Sequence, residues 1–209
     1  MAQIQIDPAE SLVGQPVRIR ATGLHAGSKT TLRIERTDNK GIRWESQATF
    51  VAGNDGVVDP AAQPPLSGGY SGVDPAGLFW TLKPTSTAKP SGAFGRSLDP
   101  ERLTASLEVG GQRAASTEFI RLRLARGVER IEVRQEGVVG TLFLPAGTGI
   151  SPAIIVLGGS EGGVFEPAAA QYAARGYVTF ALGYFGMEGL PDDLQAALRA
   201  GLQGERPRD

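Results

Sequence analysis

The sequence predicts a β-sandwich over residues 1–125, followed by the opening of an α/β domain over residues 126–209. Three observations carry this prediction. Runs with apolar residues at every second position, the period of a half-buried strand, recur up to about residue 125 with turn residues between them. Past residue 127 a hairpin pattern gives way to strand, glycine loop, helix and strand. Gly and Pro, 29 and 14 of the 209 residues, supply the punctuation that many short strands need.

In the first half, Pro16–Leu24 alternates Val17, Ile19 and Ala21 against Arg18, Arg20 and Thr22, and Thr31–Arg36 sets Leu32 and Ile34 on one face. Gly41–Val51 aligns Ile42, Trp44, Ser46, Ala48 and Phe50, and Leu103–Val109 and Thr117–Leu124 repeat the pattern. Turn signals at 24–27, 38–41, 54–56 and 109–111 separate these runs. With no long helix between them, they predict packed sheets, an immunoglobulin-like sandwich.

The segment Pro64–Pro100 is different: rich in Gly, Pro and Ser, it also holds Tyr70, Leu78, Phe79 and Trp80. Asp74-Pro75 suits the start of a helical turn, where proline gives up no useful N–H. A flexible linker does not gather so much apolar surface. The segment therefore reads as an ordered loop with Phe79 and Trp80 largely buried. Two roles fit it: packing within its own domain, or, through Tyr70, Leu78, Phe79 and Trp80, contact with a second domain.

In the second half, Val128–Arg134 and Gly137–Leu144 alternate around Gln135-Glu136-Gly137, a hairpin. Ala153–Leu157 (AIIVL) is apolar throughout, as expected of a strand buried on both faces. Gly158–Gly163 (GGSEGG) follows, then a helix over Phe165–Arg175 ended by Gly176, then the strand Tyr177–Leu182. A strand–helix–strand crossover of this kind implies a parallel pair. With so few strands and helices, Ile154, Val156, Val178 and Phe180 are expected to be poorly covered, which would promote self-association through the incomplete sheet or pairing with a missing half.

Composition removes several function classes. Lys plus Arg is 21 against 22 for Asp plus Glu, so the electrostatic source of nucleic-acid binding is missing. The absence of cysteine excludes disulfides, thiolate nucleophiles and Cys-ligated zinc, and a single histidine, His25, excludes a multi-His metal site. No metal or cofactor is expected. No stretch approaches the roughly 20 apolar residues of a membrane helix, and Met1–Gln15 lacks a basic start with an apolar run. The expectation is a cytoplasmic protein without a membrane partner.

Gly158-Gly159-Ser160-Glu161-Gly162 fits G-x-S-x-G, the nucleophile elbow of α/β-hydrolases, and it sits between a strand and a helix as that motif requires. Two features oppose a nucleophilic Ser160. The elbow needs a histidine later in the chain, and none follows His25. Counted from the hairpin, Ala153–Leu157 is also the third strand, and the elbow belongs two strands later. The glycine-rich turn after the third strand instead supplies a backbone N–H to the oxyanion hole. Gly158, Gly159, Ser160, Gly162 and Gly163 are the candidates for that loop; a plain glycine-rich turn is the other reading. A phosphate cradle is disfavoured, because neither G-K-[ST] nor GxGxxG is present here.

These residues carry a resemblance. PVRIRATGL, TLRIERTDNKGIRWESQATFVAGNDGVVD and, most specifically, GGYSGVDPAGLFWTLKP resemble the family of acyl-CoA thioesterases and bile acid-CoA:amino acid N-acyltransferases. So do GTLFLP, PAIIVLGGSEGG and YVTFALGYFGMEGLPDDL, and the likeness runs from about residue 5 to residue 194. It implies a β-sandwich fused to an incomplete α/β-hydrolase-type domain, with acyl-CoA as substrate. In that family a Ser or Cys nucleophile follows the fifth strand, and an Asp and a His come later. No position here matches any of the three, so the resemblance implies no catalytic residue in this chain and no activity from it alone. A truncated or frame-shifted gene, a cloned fragment, or half of a split protein would each have this form.

Other residues read as structural. His25 sits in a glycine-flanked turn, Asp192-Asp193 suit a helix start, and Arg121, Arg123 and Arg126 suit a solvated face, with a CoA phosphate as the sharper reading.

Overall fold

The computed structural model describes residues 1–86, 97–135 and 137–203. Residues 87–96 of the Pro64–Pro100 segment, Glu136 of the predicted hairpin turn and the charged tail past Gln203 lie outside them. Two compact units emerge: Met1–Phe94 with Pro100–Leu122, and Gly95–Asp99 with Arg123–Asp209.

The first unit is almost entirely β. Its strands are β1 (Gln3–Asp7), β2 (Glu10–Leu12), β3 (Arg18–Thr22), β4 (Lys29–Thr37), β5 (Arg43–Val51), β6 (Ser67–Gly68), β7 (Lys83–Pro84), β8 (Glu101–Val109) and β9 (Gln112–Leu122). A single helical turn, α1 (Gly77–Trp80), precedes β7. A seven-stranded sheet runs β2-β9-β8-β4-β5-β6, with β7 also on β5, and β1 pairs β3 in a separate two-stranded sheet. The alternation read from the sequence sets the buried face. Leu32 and Ile34 of β4, Ala48 and Phe50 of β5, Leu103, Ala105 and Leu107 of β8, and Phe119 of β9 share one core with Ile19 and Ala21 of β3. Two sheets closing on one core is consistent with a sandwich. Phe50 and Phe119 are fully buried, and such a side chain contributes about 1.5–3 kcal/mol by leaving water. The opposite face is polar, with Arg33 paired to both Glu45 and Glu108.

The second unit contains β10 (Glu129–Gln135), β11 (Val138–Leu144), β12 (Ala153–Leu157), α2 (Glu166–Ala173), β13 (Val178–Gly183) and α3 (Leu194–Gln203). Its sheet runs β10-β11-β13-β12. β10, β11 and β13 are antiparallel neighbours, and β12 is parallel to β13, with α2 as the crossover. Ala169, Ala170 and Ala173 bring α2 close to Val156, Phe143 and Ala181. Thr179 Oγ1 donates to the Ala169 carbonyl at 2.9 Å. At the start of α2, Glu166 accepts two bonds from Arg130 and one from Thr141. Burial pushes the Glu166 carboxyl up, but these donors outweigh it and hold it below its ordinary value.

Three expectations need correction. β12 is not buried on both faces: Val156 lies under α2, whereas Ile155 and Leu157 are 67% and 57% exposed. Poor coverage was expected at Ile154, Val156, Val178 and Phe180: the small alanines of α2 bury Val156, and Ile154 packs against the same cluster, while Val178 and Phe180 are half-buried and the exposed positions are instead Ile155 and Leu157. The strands β1, β2, β6 and β7 were not anticipated. β1 alternates (QIQID) only at the margin of the core, and the other three have two or three residues each.

Candidate functional site

The glycine loop leaves the carboxyl end of β12. Its base is fixed from the segment that follows β13: the Tyr184 hydroxyl donates to the Gly158 carbonyl at 3.2 Å, and the Gly163 N–H donates to the Phe185 carbonyl at 3.0 Å. The Gly162 N–H donates to the Gly159 carbonyl at 3.2 Å and tightens the turn. Gly162 has φ +66°, and a Cβ there would stand 2.9 Å from the Phe185 ring, so the position excludes a side chain twice over. Gly162 and Gly163 are buried, while Gly159, Ser160 and Glu161 are exposed. Among the described residues no acceptor is bonded to the N–H of Gly159 or Ser160. The loop is therefore a fixed base carrying two unbonded backbone donors on exposed residues.

Ser160 has no hydrogen-bonded base among the described residues. No histidine or carboxylate is bonded to its hydroxyl among the described residues, and the one histidine, His25, lies in the first unit. No group of three or more metal-ligating side chains occurs among the described residues either. Asp193 caps α3: its Oδ1 accepts the Ala196 N–H at 2.8 Å, the structural role read for this acidic pair.

The Tyr70–Trp80 segment folds onto its own unit. Asp74 organises it, accepting the Ala76 N–H through Oδ1 and the Trp80 Nε1–H through Oδ2, both at 2.8 Å. Gly77 is required by close approach, since a Cβ there would lie 2.4 Å from the Tyr70 ring. Tyr70 and Leu78 join the core, and Ser46 Oγ donates to the Leu78 carbonyl. Phe79 is half-buried, edge-on to Phe119, with the Arg121 guanidinium 5.4 Å above it. The expected burial of Trp80 is wrong: the residue is 62% exposed. Its indole N–H is tied to Asp74, while the buried positions of the segment go to Tyr70, Gly77 and Leu78. Burial pushes the Tyr70 phenol up to about 12, with the charge of Asp74 adding to it.

Arg121 is also not the solvated cation the sequence suggested. Its Nη1 donates to Ser11 Oγ at 2.8 Å and its Nη2 to the Gln15 carbonyl at 2.9 Å, and burial pulls the guanidinium down from its ordinary value. Sequence reasoning missed Tyr184 and Phe185, the residues that hold the glycine loop. The available signal was two aromatic residues directly after a buried parallel strand, at the sheet edge from which the glycine loop also emerges.

Residues 14–135 match the family described as acyl-CoA thioester hydrolase/BAAT N-terminal region. The chain is 37% identical to human bile acid-CoA:amino acid N-acyltransferase, covering 91% of this chain and 48% of that protein. It is 36% identical to mouse acyl-coenzyme A thioesterase 6, covering 92% and 47% respectively. With mouse acyl-coenzyme A thioesterase 3 the figures are 38%, 90% and 45%. The chain thus spans about half the length of the curated relatives it matches.

Proposed function

Because the chain belongs to the acyl-CoA thioester hydrolase/BAAT N-terminal family, we propose that it forms the β-sandwich and the first strands of an α/β-hydrolase-type domain in a protein acting on acyl-CoA. The domain limits we propose are 1–125 and 126–209. The observation that carries this reading is the Gly158–Gly163 loop, with the unbonded N–H groups of Gly159 and Ser160 at the carboxyl end of β12. β12 lies at the sheet edge, so a further parallel strand would add beside it, and the loop after that strand would emerge at the same edge. A nucleophile there would face the two donors, which would stabilise the oxyanion formed on thioester attack. Transfer to an amino acid and to water share this step, and the relatives include proteins named for each.

The experiment incubates the purified 209-residue chain with short- and long-chain acyl-CoA and reads thiol release and acyl adducts by mass spectrometry. We expect no turnover and no adduct on Ser160. Cleavage abolished by Ser160→Ala would overturn the reading. A second reading, a non-catalytic interaction module that pairs with further strands or a second copy, is favoured by exposed Ile155 and Leu157 on the β12 edge. Concentration-dependent association lost on Ile155→Lys would support it.

A further inference from the structure

Each of the two unbonded donors of the glycine loop belongs to a peptide unit whose carbonyl is held. The Ser160 N–H shares its peptide with the Gly159 carbonyl, which accepts the Gly162 N–H at 3.2 Å, a bond made within the loop itself. The Gly159 N–H shares its peptide with the Gly158 carbonyl, and that carbonyl accepts the Tyr184 hydroxyl at 3.2 Å. Among the described residues this is the one hydrogen bond to the Gly158–Gly159 peptide. The unit needs such a hold. Glycine stands on both sides of it, so ψ of Gly158 and φ of Gly159 can turn together and reverse the peptide without the penalty that a Cβ imposes. Nothing lies within 4 Å of a Cβ placed at Gly159, so packing does not fix it either. Tyr184 is itself well placed to hold it: it follows directly on β13, and its half-buried ring stands edge-on to the buried Phe185 at 4.8 Å between centroids.

We infer that Tyr184 is a positioning residue for the oxyanion step: its hydroxyl holds the Gly158–Gly159 peptide in one orientation and strengthens the Gly159 N–H as a donor. This rests on the oxyanion reading proposed above. Direction follows from covalent geometry. The peptide is trans, so its N–H points opposite to its C=O, and a carbonyl turned to Tyr184 turns the Gly159 N–H away from that hydroxyl. Strength follows from polarisation. A donor on the carbonyl oxygen draws electron density from the amide nitrogen, and hydrogen bonds chained through one peptide reinforce each other. At 3.2 Å the Tyr184 bond is longer than an ordinary hydroxyl–carbonyl bond, so it has room to shorten as an anion meets the N–H. Removing one aimed oxyanion donor costs roughly 10²–10³ in rate, and a reversed peptide would forfeit that donor.

The test is NMR of the isotope-labelled 209-residue chain in a dilute alignment medium. The dipolar coupling of each N–H reports its direction, and the Gly158 carbonyl-carbon and Gly159 amide-proton shifts report polarisation. In Tyr184→Phe the Gly159 coupling should collapse toward zero as the peptide averages over both orientations. Ser160, whose peptide is held within the loop, should keep its value. Amide exchange does not see the reversal, because the Gly159 N–H is unbonded either way. A ring-fluorinated tyrosine at position 184, a stronger donor of nearly the same shape, should move both shifts downfield, and Tyr184→Phe should move both upfield. A ring that only fills space would leave the shifts unmoved by fluorination. An unchanged Gly159 coupling in Tyr184→Phe, an equal collapse at Ser160, or shifts that ignore fluorination overturns the role of Tyr184 and leaves the oxyanion reading standing. Protection of the Gly159 amide from exchange in the unsubstituted chain would remove the free donor and overturn both. If Tyr184→Phe unfolds the second unit, the fluorinated variant alone decides: downfield shifts support the inference, and unmoved shifts overturn it.

Discussion

Gly77 in the first unit and Gly162 in the second each make room for an aromatic ring, Tyr70 and Phe185. The two loops nevertheless present opposite things to solvent. Around Gly77 the backbone is bonded inward: its carbonyl accepts the Thr81 hydroxyl at 2.6 Å, and Leu78 accepts Ser46. What stands out there is a side chain, Trp80. Around Gly162 the base is bonded and the tip is bare backbone, with the N–H groups of Gly159 and Ser160 unbonded. One glycine-rich segment displays a ring and the other displays donors. Composition does not separate them; the partners of each N–H and carbonyl do.

The largest expected effect is at Gly162→Ala, where a positive φ and the Phe185 ring act together. Overpacking and left-handed strain sum to about 3 kcal/mol, read as loss of the second unit's protected amides with the first unit's intact. Gly77→Ala adds a methyl against Tyr70 but gains helix propensity, and should destabilise the first unit by about 2 kcal/mol. Both tryptophans lie in that unit, so their fluorescence follows its unfolding. If either substitution unfolded both units equally, the comparison between two separately built loops would fail.

Smaller effects sharpen it. The Tyr70 phenol titrates near 10 when unfolded and at about 12 when folded. The folded state therefore holds this proton more tightly. The stabilisation is complete below pH 10 and is lost as pH rises through the folded value. Tyr70→Phe should flatten that alkaline decline. It should change neutral stability by less than about 1 kcal/mol, because the hydroxyl has no hydrogen-bond partner among the described residues. Gly159→Ala should be near neutral, since nothing lies within 4 Å of the added Cβ. A large loss there would mean that the loop tip is packed.

Most of the fold was legible because a half-buried strand writes its period into the sequence: β4, β5 and β8 lie where the alternation put them. The helix–strand crossover was legible from AIIVL, the glycines and the alanine-rich helix. β12's continuous apolar run misled, because a run without alternation does not say which face a helix will cover. Trp80 misled for another reason. Its burial was inferred from size, while the buried positions of the segment are taken by Tyr70, Gly77 and Leu78 and the indole N–H is tied to Asp74, six residues earlier. Of the glycine loop, position and type were readable, and its anchors were not, because Tyr184 and Phe185 reach it only through the parallel pairing of β12 with β13.

Amide hydrogen exchange across residues 158–163, resolved by NMR, tests the central claim most directly. A fixed base with free donors predicts protection at Gly162 and Gly163, whose N–H groups are bonded to the Gly159 and Phe185 carbonyls, and near-unprotected exchange at Gly159 and Ser160. Tyr184→Phe should lower the protection at Gly163 without changing the tip. Protection of Gly159 or Ser160 comparable to that of Gly163 would contradict the account, because those donors would already be occupied and could not serve an oxyanion.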